Sequence, residues 1–285
     1  MSGPDKAYKN LDFLNGPAAR HIRLLCEYEE PRQRFLNEKV RDTIVFFGSA
    51  RIKTQAEADA ALEHARRELT VARGEEEERR LKHQVLMCER QNKLARYYGD
   101  ARLLAEKLTR WSMESKHRAY YVCTGGGPGI MEAGNRGAAD VPGGRSVGLG
   151  ISLPFEEKVN PWVTPELAFE FHYFFMRKYW FMYLSKALVL FPGGFGTMDE
   201  MFESLTLRQT GKIKKPLPTV LFGADYWNAV LDMQAMVGFG TISERDLLLF
   251  HRSDSVDDAF DFLVSSLEHA EQLGPQHEVL YVPHR

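Results

Sequence analysis

The chain has 285 residues, of which 44% are hydrophobic and 27% charged, and its formal net charge is −2. That is the composition of a globular protein with a sizeable core, and its charge asks for neither nucleic acid nor an anionic membrane. Cys26, Cys88 and Cys123 share no CxxC spacing, which argues for a reducing compartment and against both a disulfide framework and a zinc site. The first residues lack the apolar core of a secretory signal, and no apolar run reaches the roughly 18 residues of a membrane span, so a cytoplasmic protein is expected.

Residues 1–41 are polar and mixed, with Pro17 and Pro31 interrupting the helical periodicity, and are expected to form an N-terminal helical extension. The run from Thr43 to Ala50 is a short apolar strand closed by Gly48-Ser49, of the kind buried in a parallel sheet. From Ala56 to Leu108 the pattern is helical almost throughout, with Gly74 and Gly99 as expected interruptions. Its first part, about 55–95, reads as an insertion, either two helices folded back as an arm or one long helix. The charged run Glu75 to Arg80 reads as a solvated face or turn.

From residue 119 strands and helices alternate. Strands are expected at Ala119–Cys123, Ser146–Leu153, Phe169–Phe174, Ala187–Phe191 and Pro218–Phe222, with a short segment at Leu248–His251. Helices are expected at Ile130–Ala139, Met176–Ser185, from about Thr197 to Thr210, at Tyr226–Met236 and at Val256–Leu267. Such alternation implies an α/β fold: a Rossmann-like, three-layer parallel sheet with helices on both faces. Residues 42–285 then form one nucleotide-binding domain that carries the insertion.

Two loops share one grammar of apolar strand, glycine cluster and helix start: Thr124 to Gly129 and Pro192 to Thr197. Glycines let an anion approach bare amides, and the positive end of a helix favours phosphate. Thr197 is placed to cap its helix and offer a hydroxyl. The same glycines also serve sharp turns and tight packing, but two such loops at the carboxyl ends of parallel strands favour a phosphate-bearing ligand, a mononucleotide. Neither loop is a Walker A motif, and the first strand lacks GxGxxG. Glu200 and Glu203 in the following helix either complement its dipole or reach the sugar of a nucleotide. Asp199 is rotated about 100° from Glu200 and does not pair with it. Arg177 and Lys178 interrupt an aromatic run, and are either snorkelling cations or, for Arg177, a fork turned inward to an anion. Trp162, Phe174, Phe175 and Trp180 include candidates to stack a base, although core or interface packing explains most of them. His172 and His251 read as structural, and no HxH or HExxH pattern supports a metal.

Gly125-Gly-Gly-Pro-Gly-Ile-Met-Glu, Arg177-Lys178 and Pro192-Gly-Gly-Phe-Gly-Thr-Met-Asp-Glu200 together resemble the signature of the LOG (Lonely Guy) family, Rossmann-like phosphoribohydrolases often labelled lysine decarboxylases. The resemblance covers roughly Thr43 to the last helix, without the arm and the N-terminus. It implies hydrolysis of the N-glycosidic bond of a nucleoside 5′-monophosphate, of AMP or cytokinin riboside type, giving free base and ribose 5-phosphate. It places the catalytic pair at Arg177 and Glu200. Gly193, Gly194, Gly196 and Thr197 would anchor the 5′-phosphate, with Ser49, Gly125, Gly126, Gly127 and Lys178 contacting phosphate or ribose. No metal or other cofactor is required, and a homodimer or higher homo-oligomer is implied. Many members have Glu-Glu where this chain has Asp199-Glu200, a departure that bears on substrate fit. The alternative on the same fold is a non-catalytic nucleotide carrier or sensor. A lysine decarboxylase would need Lys178 or Lys186 as a Schiff-base lysine, and nothing around either forms a recognisable cofactor site.

Overall fold

The computed structural model describes residues 6–115, 119–152 and 159–272. Helices α1 (Leu11–Asn15) and α2 (Arg20–Asn37) precede β1 (Asp42–Phe47), and the helices α3 (Gln55–Thr70) and α4 (Glu75–Glu114) follow it. Then come β2 (Tyr120–Thr124), α5 (Ile130–Ala139), β3 (Ser146–Ile151), β4 (Ala168–Phe171), α6 (Phe174–Leu184) and β5 (Ser185–Leu190). The chain continues through α7 (Phe195–Gln209), β6 (Thr219–Phe222), α8 (Ala224–Val230), α9 (Met233–Gly238), β7 (His251–Ser253) and α10 (Val256–Gln272).

All seven strands lie in one sheet in the order β4-β3-β2-β1-β5-β6-β7, and every pairing is parallel. Period-two alternation sends each strand's side chains to two cores. Val45, Phe47, Leu188 and Leu190 meet Phe35, Trp180, Phe181, Met201 and Trp227 from α2, α6, α7 and α8. Ile44, Phe46, Ala187 and Val189 meet Leu104, Leu108, Ile130, Ala133 and Leu263 from α4, α5 and α10. Helices therefore cover both faces of a Rossmann-like sheet, as the apolar strands require. The strand order reverses between β1 and β5, and the crevice at their carboxyl ends is the place such folds offer a ligand.

The segment expected as an insertion is a hairpin. Asn92 bonds Asp59 at 2.6 Å, Arg66 bonds Glu89 at 2.8 Å and Gln84 bonds Glu68 at 3.2 Å, an antiparallel register. Thr54 and Glu57 form a reciprocal capping box at the start of α3, and the acidic run Glu75 to Glu78 opens α4, where it complements the dipole.

Several boundaries differ from expectation. Gly99 does not interrupt α4, because Tyr97, Tyr98, Ala101, Leu104 and Ala105 on either side are buried and their packing outweighs one glycine's weak propensity. Pro31 lies inside α2 without ending it. Phe174 opens α6 rather than ending a strand, and Ser185 begins β5 rather than ending that helix. The expected helix Tyr226–Met236 is two helices, because Leu231 is extended and the Asp232 carboxylate accepts from the N–H of Ala235 to start α9. The end expected for β3 at Leu153, with Pro154, lies outside the described residues. No helix among the described residues is long and apolar enough to cross a membrane.

Candidate active site

The two glycine loops are joined through Ser49. Its N–H donates to the carbonyl of Pro192 at 3.0 Å, and its own carbonyl accepts from Ile130 N–H, the first amide of α5, at 3.1 Å. The amide at the head of α5 is therefore already occupied. Gly126 N–H is occupied too, donating to Thr124 Oγ1 at 2.9 Å. Asn160 braces this first loop, its Nδ2 donating to the carbonyls of Gly126 and Gly127, each at 3.0 Å. It also donates to Asn135 Oδ1 at 3.0 Å, and Asn135 accepts from Thr124 Oγ1 at 2.7 Å, so the bracing network is buried and bonded. Single polar residues with no periodicity or spacing to mark them, Asn135 and Asn160 carried no signal in the sequence.

The second loop is the better anion cradle. Helix α7 begins at Phe195, so the N–H groups of Phe195, Gly196 and Thr197 have no acceptor within the helix. This corrects Thr197's expected role: Gly194 occupies the cap position with no side-chain bond, and Thr197 sits in the first turn, 6% exposed. Its hydroxyl lies against Gly193, where any side chain would collide with Thr197 Oγ1. Gly194 and Gly196 are exposed and face open space. Tyr226 Oη donates to the carbonyl of Gly193 at 2.6 Å and pins the loop, another contact without a sequence signal.

Arg177 turns inward. Its Nε donates to the carbonyl of Leu149 on β3 at 2.7 Å, and the guanidinium lies 5.1 Å from the Phe181 ring centre. Its far end reaches the first loop, where a side chain at Gly125 would strike Nη2. Lys178, one residue on, points to α7 instead. Its Nζ lies 2.7 Å from Glu203 Oε2, 2.8 Å from Asp199 Oδ2 and 3.8 Å from Glu200 Oε1. Burial would lower the Lys178 pKa, but bonds to Asp199 and Glu203 and the charges of Glu200 and Glu203 outweigh it and hold it up.

Glu200 lies one helical turn beyond Thr197, on the same face of α7. It is 6% exposed, and among the described residues its Oε2 has no hydrogen-bond partner. Burial pushes its pKa up to about 7. Lys178 and Arg177 oppose that rise, and Glu203 and Asp199 add to it. The cleft therefore pairs amides that have no acceptor within their helix, at one end, with a carboxyl group poised near neutrality at the other.

Of the aromatic candidates, Trp180 is core at 2% exposed, whereas Trp162, Phe174 and Phe175 keep exposed faces. Trp162 carries the Arg136 guanidinium 4.9 Å from its ring centre. His251 is bonded to Asp258 at 2.8 Å and stacked on Phe262, and His172 is packed on Tyr173. No cluster of three metal-ligating side chains occurs among the described residues.

None of the curated proteins compared matches the chain. A family match begins just after the first glycine loop and takes in Arg177, Lys178, the second loop and Glu200. Residues 131–263 match the family described as Possible lysine decarboxylase, which is consistent with a LOG-family protein of the kind often given that label.

Proposed function

We propose that this protein hydrolyses the N-glycosidic bond of a nucleoside 5′-monophosphate, of AMP or cytokinin riboside type, to free base and ribose 5-phosphate. The observation that carries the reading is Glu200 Oε2, a buried carboxylate oxygen with no hydrogen-bond partner among the described residues, one turn from the amides that open α7 without an acceptor in the helix. The 5′-phosphate sits on the N–H groups of Phe195, Gly196 and Thr197, where the helix dipole and bare amides favour it. The ribose then lies over Glu200. The C1′–N bond breaks with its electron pair leaving on the base, and C1′ develops oxocarbenium character. The Glu200 carboxylate stabilises that charge and takes a proton from the water that adds to C1′, and a proton passes to the departing base, so that neutral base and ribose 5-phosphate leave and the carboxylate is restored. Arg177, held to Leu149 and reaching the first loop, fixes the opposite wall of the cleft.

A pyridoxal-dependent decarboxylation does not fit these residues. A Schiff-base lysine must reach its neutral amine, and Lys178 is held charged by Asp199 and Glu203. Lys186 lies at the start of β5, 3.5 Å from Asp42 at the start of β1, and so at the opposite end of the sheet from the cleft.

The test is release of free base from AMP and a panel of purine and pyrimidine monophosphates by the full-length protein. Glu200→Gln and Arg177→Ala should each lower kcat at least about a hundredfold with folding intact. Base release unchanged by both substitutions refutes the site assignment. Tight nucleotide binding without turnover across the panel would instead identify a carrier or sensor.

A further inference from the structure

Helix α6 carries Arg177 and Lys178, and one residue of α2 holds its N-terminal end. The Glu27 carboxylate accepts from the backbone N–H of His172 through Oε1 at 2.7 Å and from that of Tyr173 through Oε2 at 3.2 Å. Tyr173 is the cap residue of α6, so the carboxylate also meets the positive end of the helix dipole. The carbonyl of Tyr173 in turn accepts from the backbone N–H of Arg177 at 3.2 Å. A path of two hydrogen bonds therefore runs from Glu27 to the backbone of Arg177.

A third bond uses the backbone of Glu27. Pro31, four residues further along α2, has no N–H, which leaves the Glu27 carbonyl without its intrahelical donor. Trp180 Nε1 donates to that carbonyl at 3.0 Å, from a ring buried between α2 and the sheet. The proline that reads in sequence as a helix breaker instead supplies an acceptor to α6. At the other end of α6, the buried Lys215 ammonium donates to the carbonyls of Met182 at 2.8 Å and Tyr183 at 3.1 Å. Opposite charges thus clamp both ends of the helix, each matched to its dipole.

We infer that Glu27 is a positioning residue for the cleft. It sets the placement of α6 through Tyr173 and Trp180, and so the aim of Arg177 at the first glycine loop. The N-terminal extension, which lies outside the family match, is on this account part of the working site. The rate readout rests on the phosphoribohydrolase reading; a second readout does not.

The test uses the full-length chain. Glu27→Gln keeps the side chain's size but turns an N–H towards one of the two amides, whereas Glu27→Asp keeps both acceptor oxygens. Pro31→Ala restores a donor that competes with Trp180 for the Glu27 carbonyl. Glu27→Gln should lower kcat for AMP cleavage between about tenfold and a hundredfold, with a smaller change in KM and little change in Tm. Glu27→Asp should recover part of the loss, and Pro31→Ala should show a smaller fall. Unchanged kcat in Glu27→Gln, or a loss that tracks Tm and is not relieved by Glu27→Asp, overturns the proposal. If the unaltered protein releases no base from any monophosphate, only the phosphoribohydrolase reading falls. Hydrogen–deuterium exchange then decides: faster exchange across residues 172–177 in Glu27→Gln upholds the brace, and unchanged protection overturns it. Should Glu27→Gln fail to fold, the same comparison is made with Glu27→Asp and Pro31→Ala.

Discussion

On the proposed reading, function and stability oppose each other at Glu200. Its folded-state pKa of about 7 stands above the ordinary carboxyl value of 4.5, chiefly because burial disfavours the charged form. The folded protein therefore holds this proton more tightly than the unfolded chain. The resulting stability is fully present below pH 4.5 and is lost as pH rises through about 7. Glu200→Gln should remove that pH dependence and raise stability at pH 8 by on the order of 3 kcal/mol, read from urea unfolding. The same substitution should abolish base release. A variant that is no more stable at pH 8 would show that Glu200 ionises in the fold without cost. In the unaltered enzyme kcat/KM should climb to a plateau above about pH 7 as Glu200 ionises. Lys178→Met removes the cation that opposes the rise and should move that limb to higher pH by about one unit. The spacing of Arg177 and Glu200 was readable in the sequence. The partners of Lys178 were not, because Asp199, Glu200 and Glu203 meet it only through the packing of α6 on α7.

At the scale of elements, strand and helix order followed from apolar periodicity, and two of the departures fell at residues expected to break helices, Gly99 and Pro31. Those residues act on the chain through local propensity, which is worth about 1 kcal/mol for a glycine and yields to a buried helix face. Gly99 illustrates this: it is exposed, and an added methyl group would meet nothing. Gly99→Ala should therefore stabilise the protein by about 1 kcal/mol, raising the urea midpoint at unchanged slope. A loss of stability would mean that α4 needs the glycine for something beyond its helical path. The capping box at Thr54 and Glu57 was available in the sequence as a pattern, whereas the antiparallel return of α3 on α4 depends on long-range bonds such as Asn92 to Asp59.

For the whole molecule, the open question of consequence is assembly. Phe195 is 94% exposed at the mouth of the cleft, and Phe174 and Phe175 on α6 are each more than half exposed. Phe174 and Phe175 adjoin at the head of α6, an exposed apolar patch of that kind suits an interaction surface, and twofold symmetric pairing is the commonest way to cover one. We therefore propose a homodimer, for which light scattering should give twice the chain's 32.6 kDa. A monomeric mass at micromolar concentration would refute it.

The sequence by itself determined the parallel α/β sheet and the two glycine loops, and its resemblance to the LOG signature pointed to Arg177 and Glu200. The sheet and the loops are encoded locally, in periodicity and glycine clusters along one chain. Only the tertiary structure decided that Gly126 and Ile130 at the first loop spend their amides within the protein, that Lys178 serves the carboxylates of α7, and that Glu27 reaches α6. Each of those depends on groups far apart in sequence competing for the same few donors and acceptors, and that competition is settled only when the helices pack on the sheet.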